Sequence, residues 1–123
     1  KLTQLKTLSL AHNQLTDVTG LEKLTKLTVL HLSGNQLTDV TELEKLNQLE
    51  VLGLMVNKLT DVKGLEKLSQ LTKLYLSNNQ LTDVKGLESL TQLKELSLNG
   101  NPDLTKAQIA DLQKALPKCE IIR

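Results

Sequence analysis

Few residues of this 123-residue chain are of the kinds that perform chemistry, and their spacing limits what they can do. The histidines, His12 and His31, are candidate metal ligands or proton carriers. On the strand spacing argued below they fall on neighbouring strands, out of register by three residues and roughly 11 Å apart, too far to share a metal. No Ser, Cys or carboxylate is fixed beside either as a nucleophile or acid–base partner. Asp17, Asp39, Asp61 and Asp83 recur at a fixed interval and would stack roughly 5 Å apart, which invites a calcium reading. Each instead sits directly before a Val and a tight turn, where a carboxylate caps backbone amides, and no second carboxylate joins it in the same turn. Gly20, Gly64 and Gly86 recur singly, unlike a phosphate-binding loop. Tyr75 is the only aromatic residue, too little for sugar stacking. The expectation is a non-enzymatic chain with no metal site and no cofactor.

Composition narrows the classes further. Of the 123 residues 31 are Leu, while Phe and Trp are absent, so one branched aliphatic must fill many equivalent core sites. Hydrophobic residues at 39% and charged residues at 24% exclude intrinsic disorder, and no apolar run is long enough to span a membrane. A formal charge of +1 gives no electrostatic case for nucleic acid or anionic lipid. Cys119 stands alone, so no disulfide forms within the chain, which fits a reducing compartment. Lys1-Leu2-Thr3-Gln4 has no charged lead into an apolar stretch, and position 1 is not Met. These features predict a cytoplasmic chain cut from a longer one, with a secreted or surface-exposed bacterial protein as the alternative.

The elements that must position these residues follow from a repeat. An offset of 22 brings Leu5, Leu27, Leu49, Leu71 and Leu93 into one column, and the columns three and five residues later are Leu throughout. The unit reads LxxLxLxxNxL, with Asn13, Asn35, Asn57, Asn79 and Asn101 at its conserved polar step and one extra residue, from Pro102-Asp103, in the last copy. Within a unit Leu30 and Leu32 are spaced as in a strand, whereas Leu15, Val18, Leu21 and Leu24 are each three apart, as in a 3₁₀ turn. One such unit cannot bury enough surface to offset the ordering of its backbone, so the units must stack. The Asn column falls where strand gives way to bend, and its side-chain amides suit the backbone groups buried between stacked turns. Glu22, Glu44, Glu66 and Glu88 beside Lys23, Lys45 and Lys67 read as a solvated outer face.

This pattern closely resembles the leucine-rich repeat family in the 22-residue form of bacterial internalin-like and phosphatase-regulatory proteins. The resemblance implies an α/β right-handed solenoid, with short parallel strands on the concave face, 3₁₀ turns on the convex face and a C-terminal helical cap. Residues 1–104 make five repeats, and residues 105–123 the cap. In the cap, Thr105 and Gln108 have capping-box spacing, Leu104 and Ile109 staple spacing, and Ile109, Leu112 and Leu116 share a face. Leu116, Cys119 and Ile121 restate the ladder at an offset of 23 from Leu93, Leu96 and Leu98, which makes Cys119 a buried ladder residue and not a nucleophile. The first repeat has no preceding turn to cover its core, so the intact protein is expected to continue upstream with a cap or more repeats, and this segment alone to be at risk of edge-to-edge association through Thr7 to Leu10.

Side chains that alternate away from the Leu ladder face the concave surface, and the repeats differ mainly there. The third repeat departs most, with Gly53, Met55 and Val56 in place of small polar residues and a gap over Gly53 between His31 and Tyr75. Val29, His31, Val51, Gly53, Met55, Val56, Lys73 and Tyr75 are therefore the candidate contacts for a protein partner. In the resembled family this face grips proteins; the competing reading is a structural spacer or an idealised engineered scaffold with no ligand.

Overall fold

Alternating leucines, inward on every second residue, produce six three-residue strands: Thr7–Ser9 (β1), Val29–His31 (β2), Val51–Gly53 (β3), Lys73–Tyr75 (β4), Glu95–Ser97 (β5) and Glu120–Ile122 (β6). They form one parallel sheet in chain order, each strand paired with the next. The computed structural model describes residues 2–123, so Lys1, with which the reading of the chain start began, lies outside the described residues. The repeat offset becomes the register: Leu8, Leu30, Leu52, Leu74 and Leu96 lie side by side. From the second repeat onward the ladder leucines are essentially inaccessible to solvent. Among the described residues no helix is long and apolar enough to cross a membrane.

The returns between strands are 3₁₀ helices at Leu21–Lys23, Thr41–Lys45, Leu65–Lys67 and Leu87–Ser89, shorter than the leucine spacing predicts. The stretch from Leu15 to Thr19 is irregular, and two of its amides bond side chains. Leu15 donates to Asn35 Oδ1 at 3.0 Å, and Thr19 donates to Asp17 Oδ1 at 3.0 Å. The Asp column does cap backbone amides two residues on: those of the bend at Thr19, Lys63 and Lys85, and in the second repeat that of Thr41, the first residue of its 3₁₀ helix. The Glu column, none of it buried, has a capping role as well. Glu22, Glu66 and Glu88 reach back to the amides of Gly20, Gly64 and Gly86. Glu42 replaces that glycine in the second repeat, and there the 3₁₀ helix runs from Thr41.

The Asn column works as the sequence predicts. Asn57 Nδ2 donates to Leu54 O in its own repeat and to Leu32 O in the repeat before, both at 3.1 Å, while its Oδ1 accepts from Leu37 N at 3.0 Å. Asn35, Asn79 and Asn101 repeat the arrangement. Asn13, at the open end, is exposed and bonds only to Leu10 O and Ala11 O. The same end leaves Leu2 70% exposed and Leu5, Leu8, Leu10 and Leu15 only partly covered.

At the other end, helix Lys106–Ala115 (α1) opens with the expected capping box. Gln108 N donates to Thr105 Oγ1 and Thr105 N to Gln108 Oε1. Gln108 Nε2 also reaches Thr82 O, which ties the helix to the fourth repeat, and Ile109, Leu112 and Leu116 are buried. One expectation is corrected here. Ile121, not Cys119, lies beside Leu96, so the offset into β6 is 25 and not 23. The return through the cap is three residues longer than the 22-residue period of the other returns, and two longer than the predicted 23. Because the shift is even, Cys119 and Ile121 still point inward, and both are buried.

Candidate functional site: the concave sheet face

Register places the outward side chains in rows across the sheet. One row runs Thr7, Val29, Val51, Lys73, Glu95, Glu120, and the next Ser9, His31, Gly53, Tyr75, Ser97, Ile122. Six of the eight predicted contact residues therefore come together on three adjacent strands. Val29 and Val51 are neighbours with Lys73 beyond them, and His31, Gly53 and Tyr75 form the parallel line.

Gly53 does not leave the expected gap. The residue is buried, and a Cβ there would lie 3.2 Å from His31 Nδ1 and 3.3 Å from Ser33 Oγ, so the imidazole of His31 and the hydroxyl of Ser33 already occupy that space. Gly53, having no Cβ, leaves that space to the His31 ring and the Ser33 hydroxyl. His31 lies in register with Ser9, three residues short of His12, as the sequence spacing predicts.

Tyr75 is held more firmly than a free contact residue. Its hydroxyl donates to Glu95 Oε1 at 2.5 Å. That bond, with smaller contributions from burial and from the charge of Glu95, pushes the phenol up to about 12. The ring is available for contact while the hydroxyl proton is committed to Glu95. Beside it, Ser77 Oγ lies 2.9 Å from Ser97 Oγ and 2.6 Å from Asn99 Oδ1. A hydroxyl has one proton, so Ser97 donates to Ser77 and Ser77 donates to Asn99. Glu95 was missing from the predicted site, although it stands one repeat after Lys73 and was legible as its neighbour. Glu120 was not legible, because its place depends on the cap offset.

Met55 and Val56 lie just past the end of β3. Met55 is 36% exposed, and its amide donates to Ser33 Oγ at 3.1 Å. Val56 is 54% exposed and belongs to the turn instead of the sheet face, with φ at 57°. The equivalent positions in the other repeats are His12, Gly34, Asn78 and Gly100, all with positive φ. Every turn of the solenoid thus demands left-handed backbone here, and a β-branched residue is the poorest choice for it. Gly34 meets a second requirement, since a Cβ there would fall 2.7 Å from His12 Nδ1. Val56 is consequently both strained and solvent-facing, next to the only methionine.

The remaining chemistry is structural. Burial, followed by the charges of Glu120 and Glu95, pushes the Cys119 thiol up, away from a reactive thiolate. A groove of about 300 Å³ on the convex side is lined by Asp83, Val84, Lys85, Glu88, Gln108, Asp111, Leu112 and Ala115. Two of its carboxylates are the caps on Lys85 N and Gly86 N. Hydrogen bonds from the Thr41 hydroxyl and amide hold the Asp39 carboxyl below its usual range.

Constant columns that build a core, beneath a sheet face whose residues vary from turn to turn, define a repeat solenoid with a display surface. The chain belongs to the leucine-rich repeat family. A family profile described as Leucine Rich repeats (2 copies) matches residues 3–45, 25–69, 47–89 and 69–114. No curated protein matches the sequence. Among solved structures, a leucine-rich repeat protein of Leptospira interrogans is 40% identical with a TM-score of 0.93, over 99% of this chain and 32% of its own. An internalin of Listeria monocytogenes is 30% identical with a TM-score of 0.91, over 98% of this chain and 35% of its own. The plant peptide hormone receptor RGFR1, solved in complex with RGF2, is 27% identical with a TM-score of 0.75, over 98% of this chain and 20% of its own. The chain thus spans about a third of the bacterial structures it matches.

Proposed function

We propose that this chain is a non-enzymatic protein-interaction module that takes its partner on the concave face, through Val29, His31, Val51, Met55, Lys73 and Tyr75, with Gly53 making room for His31, and on the adjoining turn through Val56. The observation that carries the reading is the Met55–Val56 turn. There two apolar side chains are exposed together, one of them in a backbone conformation that glycine or asparagine would adopt at lower energy. A surface with no ligand has no reason to keep that strain. The likeness to a receptor solved with RGF2 supports a binding role for the scaffold. The test is capture from a lysate of the source organism with wild type, Tyr75→Ala and Met55→Asp, each checked for native circular dichroism. Met55→Asp is expected to reduce capture by about tenfold, as loss of a central contact does. Equal capture by all three removes the assigned surface.

For this segment taken alone, we propose a second partner, another copy of it. β1 pairs only with β2, and the leucines beneath it are the least covered of the ladder. Association of β1 edges through Thr7 to Leu10 would satisfy free backbone groups and cover those side chains. Light scattering on this chain should show mass rising with concentration; a strict monomer at millimolar concentration rejects the association.

A further inference from the structure

The row Val29, Val51, Lys73, Glu95, Glu120 is ordered in its chemistry as well as in space. It begins with two adjacent aliphatic side chains, passes one exposed lysine, and ends on two carboxylates brought side by side by the cap register. Glu95 gives a carboxylate oxygen to Tyr75 and not to Lys73, so the lysine is left facing solvent. Parallel strands lie about 4.8 Å apart, so the valine pair, the lysine and the midpoint of the glutamate pair succeed one another at about 7 Å. Alternate residues of an extended chain repeat at about 6.7 Å and project from the same face.

We infer that the face is matched to an extended peptide segment crossing the strands, with an aliphatic residue at one position, an acidic residue two positions on and a basic residue two further. This rests on the concave face being the binding surface, and names the chemistry of what binds there. The aliphatic side chain covers Val29 and Val51, the acidic one meets Lys73, and the basic one lies between Glu95 and Glu120. The glutamate pair favours a cation because two like charges in adjacent register positions repel until one is inserted between them.

The probes are two fluorescent peptides of identical composition, each flanked by Gly-Ser: Ile-Ser-Glu-Ser-Arg and its charge-exchanged form Ile-Ser-Arg-Ser-Glu. Fluorescence anisotropy at low salt is expected to show the first binding wild type roughly threefold to tenfold more tightly, the scale of two solvent-exposed ion pairs, with the difference shrinking at 0.5 M salt. The variant K73E/E120K alters only exposed side chains and should prefer the exchanged peptide. Equal affinity for both peptides, no binding of either, or an unchanged preference in the variant overturns the charge order. If the order fails while Met55→Asp still reduces capture from lysate about tenfold, the concave-face reading stands without it; if both fail, the face itself is wrongly assigned.

Discussion

Replacement of Asn57 by leucine is expected to destabilise the fold by roughly 2–6 kcal/mol, whereas the same change at Asn13 leaves stability within about 0.5 kcal/mol of wild type. The two residues occupy one sequence column but different surroundings. Asn57 is buried, and its Oδ1 is the acceptor for Leu37 N. Leucine has nearly the same shape but no acceptor oxygen, so one buried amide is orphaned at a cost of about 1–3 kcal/mol. The carbonyls of Leu32 and Leu54 lose one donor each but keep another, since Asn35 also donates to Leu32 O and Asn79 to Leu54 O. Those two losses add about 0.5–1.5 kcal/mol apiece. The total is a large fraction of the about 5–15 kcal/mol that separates folded from unfolded domains. Asn13 bonds only to Leu10 O and Ala11 O of its own repeat and is exposed to water in this segment. Chemical denaturation of the two variants distinguishes them, and equal destabilisation would mean that the ladder acts within repeats and not between them.

Val56→Asn is expected to act in opposite directions on stability and binding. Asparagine tolerates left-handed backbone, as Asn78 does at the same step with φ at 59°. Relief of the valine strain should stabilise the chain by about 1–2 kcal/mol, the scale of the left-handed penalty for a residue with a Cβ. For a domain of this size that corresponds to a melting temperature higher by about 3–10 °C. Capture of the partner should fall by about tenfold, because half of the exposed apolar pair is replaced by a hydrated amide. Thermal melting followed by circular dichroism gives the first effect and the capture assay the second. A variant that melts higher and captures as well as wild type would show that Val56 is only a poor turn residue.

The contrast between these positions shows where sequence reasoning reached and where it stopped. Local spacing was enough for the strands, the Asn ladder and the capping box at Thr105, because each depends on residues within one repeat or on the fixed offset between repeats. The rows of the face were legible for the same reason: with a constant offset, Val29, Val51 and Lys73 must be neighbours. The 3₁₀ returns were overextended because leucine spacing reports which way side chains point, not which partner each amide chooses. Asp17 had taken the Thr19 amide that a longer helix needs.

Gly53 and Val56 illustrate the other limit. Each looked like a gap or an apolar contact from its residue type alone. His31 lying over one and the left-handed turn at the other are consequences of packing between repeats.

What the sequence by itself determined was the repeat: a 22-residue period of leucine and asparagine leaves one stacking register, and that register sets the core and most of the display face. The tertiary structure alone decided how the period ends. Thr105 begins a helix whose route back to the sheet is two residues longer than the offset of 23 allowed, which seats Ile121 beside Leu96 and Glu120 beside Glu95. The length of that return depends on how α1 packs across the last turn, a contact between distant residues that no local spacing encodes, and the charge order of the face follows from it.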